Sequence, residues 1–252
     1  MSLEEILEKE DLGIEVLHPG GLEITKELAE LCGINRKSKV LDVACGTGES
    51  ACFLSETFGC EVVGVDASPI MIEKAKKKAK MRGVERKTTF ILADAHKLPF
   101  PDNTFDVVIS ECTLCLLNKE LALREMVRVV KPNGCVGIHD VAWKENTPEK
   151  LKLKLKEIEG EEPETIEGWK RLFEKAGLVD IVILDKSHLI PEWMGEMRKQ
   201  VGLWGELKIF LKILKKEGLN GLKNAWESMK IFESPYTGYV IVVGRKPLDK
   251  IH

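Results

Sequence analysis

This chain of 252 residues has neither a surplus of positive charge nor a long hydrophobic run. Its 38 Lys and Arg residues are outnumbered by 41 Asp and Glu residues, which gives a net charge of −3 at pH 7. Proteins that bind nucleic acid usually carry a basic surface that neutralises phosphates. The charge balance therefore predicts no nucleic-acid partner. No apolar run reaches the roughly 18–20 residues that cross a bilayer, which predicts no membrane span.

Features that mark secreted proteins are also missing. The first residues, Met1 to Asp11, are acidic and amphipathic, unlike the basic and then apolar start of a signal peptide. The seven cysteines are expected to be free thiols in a cytoplasmic protein, because nothing else indicates an oxidising compartment. Gln occurs once, whereas Lys and Glu are abundant. This bias predicts a thermophilic source, although seven cysteines weigh against it.

The most informative segment present is Val40 to Ser50, with the sequence VLDVACGTGES. An apolar, β-branched run breaks into a turn of small residues and then becomes a predicted helix. Gly46 and Gly48 lack a Cβ atom, so the backbone there can adopt left-handed angles and lie close to a ligand. The helix directs its free N–H groups and positive dipole end toward that turn. The segment therefore predicts a cofactor-binding loop.

Strands and helices alternate along most of the chain. The apolar patterns predict strands at 40–43, 61–65, 88–93, 105–110, 135–139, 179–184 and 239–243. They predict helices at 22–31, 49–58, 68–82, 119–130, 165–175 and from 147 onward. Ser68, Thr147 and Thr165 are the predicted N-caps, and Pro132-Asn133-Gly134 is a predicted turn before the fifth strand. The alternation predicts an α/β fold with a parallel sheet and helices on both faces.

About fifty residues, rich in Trp, Met, Leu and Lys, separate the last two predicted strands. The stretch has helical periodicity, and it is too long for a plain connection and too apolar for a disordered linker. We therefore predict a helical insertion over about residues 189–234.

The first candidate cofactor is a dinucleotide. Gly46 to Ala51 satisfies the relaxed G-x-G-x-x-A pattern, and Asp66 ends the second strand where a carboxylate can bind a ribose diol. An NAD(P) oxidoreductase would also need a proton relay such as a Tyr/Lys pair. The two tyrosines, Tyr236 and Tyr239, both fall at the far end of the chain, in or beside the last strand. This placement argues against the dinucleotide hypothesis.

The third strand carries a different signal. It ends in Leu92-Ala93-Asp94-Ala95, where a carboxylate can accept a hydrogen bond from an adenine amine and a neighbouring N–H can serve a ring nitrogen. With this region included, Lys39 to Val141 resembles the class I S-adenosylmethionine (SAM)-dependent methyltransferases, most closely the ubiquinone/menaquinone-biosynthesis type. The resemblance rests on four linked motifs: VLDVACGTG, VVGVDASPIMIEKAKKKA, LADAHKLPFPDNTFDVV and LREMVRVVKPNGCVGIHD.

The resemblance implies a Rossmann-like sheet of seven strands in which the last strand is antiparallel. It also implies two parts: an N-terminal helical segment, residues 1–38, that closes over the cofactor, and a SAM-dependent methyltransferase domain, residues 39–252. The insertion at 189–234 would then be a lid over the carboxyl edge of the sheet, where open α/β folds bind their ligands.

Cofactor contacts follow from the same resemblance. The backbone of Ala44, Cys45 and Gly46 would contact the methionine moiety of SAM, and Asp42 would orient its amino group. The family usually has glycine at the position of Ala44, and alanine is expected to fit there if its φ is negative. Glu111, just after the fourth strand, would lie near the methionine end.

The adenosine half of SAM would be bound by the next two strands. Asp66 would bind the ribose hydroxyls, and Ala67 and Met71 would flank the adenine. Asp94 and Ala95 would bind the adenine edge.

Methyl transfer requires alignment of the acceptor, the methyl carbon and the sulfur, together with exclusion of water. Positioning alone supplies about 7–11 kcal/mol, so no dedicated base is required. The candidate catalytic residues are Glu111, which would hold the SAM amine or act as a base, His139 at the end of the fifth strand, and His18 in a loop before the first helix. Each histidine could equally be a hydrogen-bonded structural residue.

Two further groups have open roles. Cys112 and Cys115 form a C-x-x-C after the fourth strand. The pair could capture a metal or metalloid, but the favoured interpretation is that the two small side chains pack in an apolar environment. No second pair is spaced to complete a zinc site, so no metal site is predicted. Apolar residues of the insertion would line a pocket for an apolar acceptor or form the core of the lid: Trp193, Met194, Met197, Trp204, Phe210, Trp226, Met229 and Phe232.

The sequence therefore predicts an enzyme that transfers a methyl group from SAM to a small-molecule acceptor by in-line displacement. Two alternatives remain at this point: an NAD(P)-binding oxidoreductase, and a non-catalytic SAM-binding protein whose insertion docks a partner.

Overall fold

The computed structural model describes residues 18–248, apart from nine side chains between residues 194 and 206. Residues 1–17 of the predicted N-terminal segment therefore lie outside the described residues. The helices are α1 Gly21–Cys32, α2 Glu49–Phe58, α3 Pro69–Met81, α4 Lys119–Val129, α5 Glu149–Glu159, α6 Ile166–Lys175 and α7 Leu189–Phe232. The strands are β1 Lys39–Val43, β2 Glu61–Asp66, β3 Thr88–Leu92, β4 Phe105–Glu111, β5 Val130–Trp143, β6 Val179–Asp185 and β7 Thr237–Arg245.

One sheet holds these strands in the order β3-β2-β1-β4-β5-β7-β6. Neighbouring strands are parallel except β7, which is antiparallel to both β5 and β6. A two-residue strand, Glu164–Thr165, pairs with the end of β5. Because β7 runs in the opposite direction, its first residues lie at the edge where the parallel strands end. The predicted α/β fold with an antiparallel last strand is confirmed.

Two of the three predicted N-caps are confirmed. The Ser68 hydroxyl accepts the N–H of Met71 at 3.3 Å, and the Thr165 hydroxyl accepts the N–H of Gly168 at 3.0 Å. The prediction for Thr147 is wrong, because its hydroxyl instead donates to the carbonyl of Lys144 at 2.6 Å and Pro148 precedes α5. The helix forms where expected without a side-chain cap.

The fifth strand is longer than predicted and continues on both sides of residues 135–139. The predicted turn at residues 132–134 is a bulge inside β5, where Asn133 has φ 62° and the pairing with β4 shifts register. The strand then runs to Trp143, so His139 lies inside it, fully buried. The prediction that His139 ends the strand at the edge of the pocket is therefore wrong.

Hydrophobic layers cover both faces of the sheet. Leu28 of α1, Leu54 of α2 and Ile72 of α3 belong to the layer on one face. Met126 of α4 and Trp169 of α6 belong to the layer on the other face. This double layer explains why the central strands read as nearly continuous apolar runs. All seven cysteines are free thiols, and six of them are buried.

Helix α7 is the segment predicted as a helical insertion, and it connects β6 to β7. Gly202 (φ 59°, ψ 171°) and Gly218 (φ 67°, ψ −157°) interrupt its helical geometry, so it consists of consecutive helical pieces. Within residues 18–248, no helix is long and apolar enough to cross a membrane.

Candidate active site

A cavity of about 660 Å³ lies at the carboxyl edge of the parallel strands, between the sheet and α7. The strand register explains its position, because β1, β2 and β4 end side by side at this edge. The structure brings all ten predicted cofactor residues to this one cavity: Asp42, Ala44, Cys45, Gly46, Asp66, Ala67, Met71, Asp94, Ala95 and Glu111.

The two glycines of the loop after β1 serve different purposes. A Cβ atom on Gly48 would lie 2.8 Å from the Cβ of Ala75 and 2.8 Å from the ring of Phe90, so Gly48 allows α2 to pack closely on its neighbours. A Cβ atom on Gly46 would meet no described atom within 4 Å, although its φ is also positive at 50°. Gly46 lines the cavity, so its bare backbone gives a ligand close access.

Asp66 connects two of the loops that form the cavity floor. Its Oδ2 accepts the N–H of Gly46 and its Oδ1 accepts the N–H of Ser68, both at 2.8 Å. A carboxylate has about four lone-pair positions, and this one lines the cavity. The position suits a carboxylate that would accept hydrogen bonds from a ribose diol.

Ala44 does not have the negative φ that was expected of it. Its φ is 60°, in the left-handed region. For a residue with a Cβ atom this conformation costs about 1–2 kcal/mol, which explains the glycine usual in the family. The site keeps its backbone shape in spite of the alanine, at the expense of some stability.

Replacing Ala44 with glycine is therefore expected to stabilise the protein. Relief of the left-handed strain outweighs the extra freedom of glycine in the unfolded chain, so the free energy of unfolding should rise by roughly 0.5–1 kcal/mol. Urea denaturation of Ala44→Gly and the wild type measures the difference. Ala51→Gly, inside α2, is the control and should destabilise instead. A loss of stability in Ala44→Gly would contradict the strain.

Asp42 is the least compensated charged group of the cavity floor. The residue is 2% exposed, and no described residue donates a hydrogen bond to its Oδ2. Burial, together with the negative charges of Glu111 and Asp66, raises the pKa of the Asp42 carboxyl well above its ordinary value. A buried carboxylate oxygen without a donor requires a cationic or hydrogen-bonding ligand to satisfy it.

The residues predicted to bind adenine lie toward the cavity mouth. The side chain of Asp94 is 65% exposed, and its Oδ1 accepts the backbone N–H of His96 at 2.9 Å and contacts the His96 ring at 2.7 Å. Ala95 and Met71 are buried, at 8% and 9% exposed. The arrangement is an apolar slot with one fixed carboxylate at its rim.

Glu111 lies at the centre of a buried polar cluster. Its Oε2 accepts the hydroxyl of Thr25 at 3.2 Å and also that of Ser50, and it lies 3.5 Å from Nε2 of His18. Its Oε1 is 3.0 Å from Nε2 of His139. Burial alone would raise the pKa of Glu111, but His139, His18 and the Ser50 hydroxyl outweigh it and lower the pKa to about 2.

The two candidate histidines occupy different positions. His18 lines the cavity with Glu111, whereas His139 lies behind Glu111 with no exposed surface. Their ring centroids are 4.5 Å apart. Burial, reinforced by the neighbouring His139, lowers the pKa of His18 to about 4. His18 is therefore neutral at pH 7.

The lowered pKa of His18 predicts a pH-dependent stability. The unfolded chain takes up a proton near pH 6.5 but the folded chain only near pH 4, so this stabilisation is present above pH 6.5 and is lost as the pH falls toward 4. The loss amounts to up to roughly 3 kcal/mol. Urea denaturation in the presence of EDTA at pH 4–7 gives the free energies of unfolding of the wild type and of His18→Asn. The difference between the two should change with pH by this amount.

His188→Asn is the matched control for this measurement, because His188 is exposed at the start of α7. It should follow the wild-type pH profile. If wild type and His18→Asn keep a constant difference over the whole range, His18 does not titrate as the structure requires.

Tyr239 is a cavity residue that the sequence interpretation missed. Its hydroxyl lies 2.8 Å from Nδ1 of His139 and also contacts Sγ of Cys112. The sequence analysis placed it at the far end of the chain, in or beside the last strand, and gave it no role in the site. The antiparallel direction of β7 brings its first residues to the cavity, and the motif for an antiparallel last strand was the signal that could have revealed this.

Cys112 and Cys115 both line the cavity, as their position after β4 predicted. Burial, reinforced by the nearby Asp140, raises the pKa of both thiols well above the ordinary value. Both are therefore protonated at pH 7, which suits apolar packing better than capture of a metal ion.

The cavity roof consists mainly of apolar side chains from α5 and α7. Of the predicted apolar series, Trp193, Met229 and Phe232 line the cavity. The prediction is wrong for Phe210 and Trp226, which are 47% and 53% exposed on the outer side. Met194, Met197 and Trp204 fall among the side chains that are not described. The sequence missed several lining residues: Ile158, Glu159, Ile190, Ile209 and Ile213.

Comparison with known proteins agrees with this geometry. The profile of a family described as "Methyltransferase domain" matches residues 34–192, more than half of the chain. The methyltransferase GfsG of Streptomyces halstedii is 30% identical over 244 residues, covering 93% of this chain and 83% of the relative. The ubiquinone/menaquinone biosynthesis C-methyltransferase UbiE of Azotobacter vinelandii is 41% identical over 130 residues, covering 50% and 51%.

The fold also matches a solved structure. Phosphoethanolamine N-methyltransferase 2 of Haemonchus contortus, in complex with SAM, superposes with a TM-score of 0.76 at 22% identity, covering 92% of this chain and 54% of that one. At 22% identity, this similarity shows only that the two proteins share a fold.

The chain belongs to the class I SAM-dependent methyltransferases. It is a SAM-dependent methyltransferase that uses SAM as its cofactor. The family match decides against the dinucleotide-dependent oxidoreductase and against a protein that binds SAM without catalysis.

Proposed function

We propose that this enzyme transfers the methyl group of SAM by in-line displacement to a small, largely apolar acceptor that carries no phosphate. The observation that carries the proposal is the buried carboxylate of Asp42, whose Oδ2 has no donor among the described residues, on the floor of the cavity. The α-ammonium group of SAM is the cation that this oxygen lacks. Glu111 is a poorer ammonium acceptor, because hydroxyls and imidazoles already surround it.

The floor residues have complementary tasks. Asp42 holds the ammonium group, and the backbone of Ala44 to Gly46 follows the methionine chain. Asp66 accepts the ribose hydroxyls at the next strand. Asp94 and Ala95 bind the adenine edge at the cavity mouth, between the apolar flanks of Ala67 and Met71. Together these contacts fix both ends of the cofactor.

The bound SAM supplies a methyl group already activated by the positive sulfonium. The chain contributes alignment and a dry environment, which supplies about 7–11 kcal/mol of the barrier reduction. The apolar roof from α5 and α7 excludes water from the space next to the methionine end. No general base is required in this mechanism, although Glu111 and His18 lie at the cavity surface.

Charge on the cavity wall selects the acceptor class. Among the described residues that line it there is no Lys or Arg, whereas the carboxylates of Glu159, Glu161 and Glu217 lie on the roof side. An acceptor with a phosphate group would therefore find no cation among the described residues of the wall to compensate it. An uncharged or cationic acceptor of small size suits this wall.

Two measurements test the proposal. Calorimetry should show binding of SAM and S-adenosylhomocysteine but not of NAD. A screen with SAM labelled in the methyl group should then transfer label to uncharged or cationic phenols, thiols or amines and not to phosphorylated analogues of the same acceptors. Transfer to phosphorylated acceptors alone would overturn the acceptor class, and SAM binding without transfer to any acceptor would overturn the proposed reaction.

The composition leads us to propose a cytoplasmic location and a thermophilic source for the same enzyme. Its seven free thiols suit a reducing compartment. Its abundant Lys and Glu residues form many surface ion pairs. Ion pairs of this kind contribute more to stability at high temperature.

A further inference from the structure

Three side chains from distant parts of the chain converge beside the cavity: His18, Glu111 and His139. Each offers one ligand atom, and these atoms all lie within 4.8 Å of one another. The side chains are 9%, 7% and 0% exposed, so the cluster is shielded from bulk water. A carboxylate and two imidazoles at this separation form a donor set that proteins use for transition metals.

Two distances inside the cluster match the separation of neighbouring ligand atoms around one metal ion. Glu111 Oε1 and His139 Nε2 are 3.0 Å apart, yet neither makes a hydrogen bond of suitable angle with any described residue. Glu111 Oε2 and His18 Nε2 are 3.5 Å apart. Two atoms that each lie about 2.1 Å from one metal ion are about 3.0 Å apart at a right angle and about 3.4 Å apart at a tetrahedral angle.

A second layer of contacts holds the three side chains in place. The hydroxyl of Tyr239 lies 2.8 Å from Nδ1 of His139, which directs Nε2 toward Glu111. The hydroxyls of Thr25 and Ser50 donate to Glu111 Oε2. Metal-binding histidines and carboxylates have outer partners of this kind, which fix the tautomer and the orientation of the ligands.

We propose that His18, Glu111 and His139 bind one divalent first-row transition-metal ion, with Zn²⁺ as the representative ion. Imidazole nitrogen combined with one carboxylate favours Zn²⁺ and its neighbours over Mg²⁺ or Ca²⁺, which prefer oxygen ligands. The sequence analysis considered only the cysteine pair and predicted no metal site; these three residues are far apart in the chain and form no recognisable spacing. The ion would connect the segment before α1 to the end of β4 and the interior of β5.

Metal uptake in the absence of SAM tests the proposal directly. Protein stripped with EDTA and freed of chelator is titrated with Zn²⁺ by calorimetry, and bound metal is counted after gel filtration. The wild type should bind one equivalent. His18→Ala and Glu111→Gln should each weaken binding by about 100-fold or more, since each removes one of three ligands. His188→Ala, which removes an exposed histidine away from the cavity, should bind like the wild type.

Tyr239→Phe provides a finer test, because it removes only the hydroxyl behind His139. Zn²⁺ affinity should fall about 10- to 100-fold while the melting temperature of the metal-free protein changes little. Co²⁺ loaded in place of Zn²⁺ should show visible absorption bands of nitrogen and oxygen ligands, without the intense charge-transfer band of a thiolate.

Three outcomes would overturn the metal site. The wild type could take up no Zn²⁺, or binding could be unchanged in both His18→Ala and Glu111→Gln. Binding could also disappear in Cys112→Ser while it survives in His18→Ala, which would assign the metal to the thiols. Circular dichroism of every metal-free variant separates a lost ligand from a lost fold, and His18→Ala is the informative variant if Glu111→Gln does not fold.

Discussion

Asp42→Asn is expected to weaken SAM binding by about 2–5 kcal/mol, or roughly 30- to 4,000-fold. The substitution keeps the shape of the side chain but removes the charge that we propose faces the ammonium group of the cofactor. Calorimetric titration with SAM and S-adenosylhomocysteine measures the loss. Methylthioadenosine, which lacks the amino-acid moiety, is the control ligand and should bind both proteins equally.

The same variant is expected to unfold less readily than the wild type when no ligand is present. Burial raises the pKa of Asp42, so its charged form opposes folding, and stability falls as the pH rises above about 4. Asp42→Asn should therefore be more stable than the wild type at pH 7, and the difference should shrink toward pH 4. If the variant lost both stability and methylthioadenosine binding, Asp42 would be a structural residue and not the ammonium partner.

Gly48→Ala is expected to lower the free energy of unfolding by about 2–5 kcal/mol. The added methyl group would lie 2.8 Å from both Ala75 and Phe90, which costs about 1–3 kcal/mol, and the φ of 74° costs about 1–2 kcal/mol more for a residue with a Cβ atom. Urea denaturation of the purified protein measures the change.

Gly46→Ala is the matched control two residues earlier. Its Cβ atom would meet no described atom within 4 Å, so only the strain of its φ, about 1–2 kcal/mol, should reduce stability. The methyl group would instead enter the cavity and weaken SAM binding by about tenfold or more. Equal stability losses for the two variants would show that Gly48 is not required for close packing of α2.

The floor of the site could be predicted from the sequence because its residues follow strand ends. Asp42, Asp66 and Glu111 lie on or directly after neighbouring parallel strands, and parallel strands end at a common edge. The order of the predicted strands along the chain was therefore enough to predict that these three side chains lie close together. The four motifs added the residue roles that periodicity alone could not supply.

The features of the site that the sequence analysis missed depended on tertiary structure. The antiparallel direction of β7 brings Tyr239 to the cavity, and pairing with β7 extends β5 to Trp143, so His139 lies inside the strand rather than at its end. The left-handed φ of Ala44 was missed because the demands of the loop overrode the preference of alanine. The outward positions of Phe210 and Trp226 depended on how the pieces of α7 are rotated.

The connection between β6 and β7 has an evolutionary consequence. The residues that would bind the cofactor come from 42–111. Most of the side chains that cover the cavity come from one continuous connection, 189–232. The acceptor preference can therefore change through substitutions within this one connection, without a change in the residues that would bind the cofactor. A chimera that carries the corresponding segment of a relative should retain SAM affinity and acquire the acceptor of the donor enzyme.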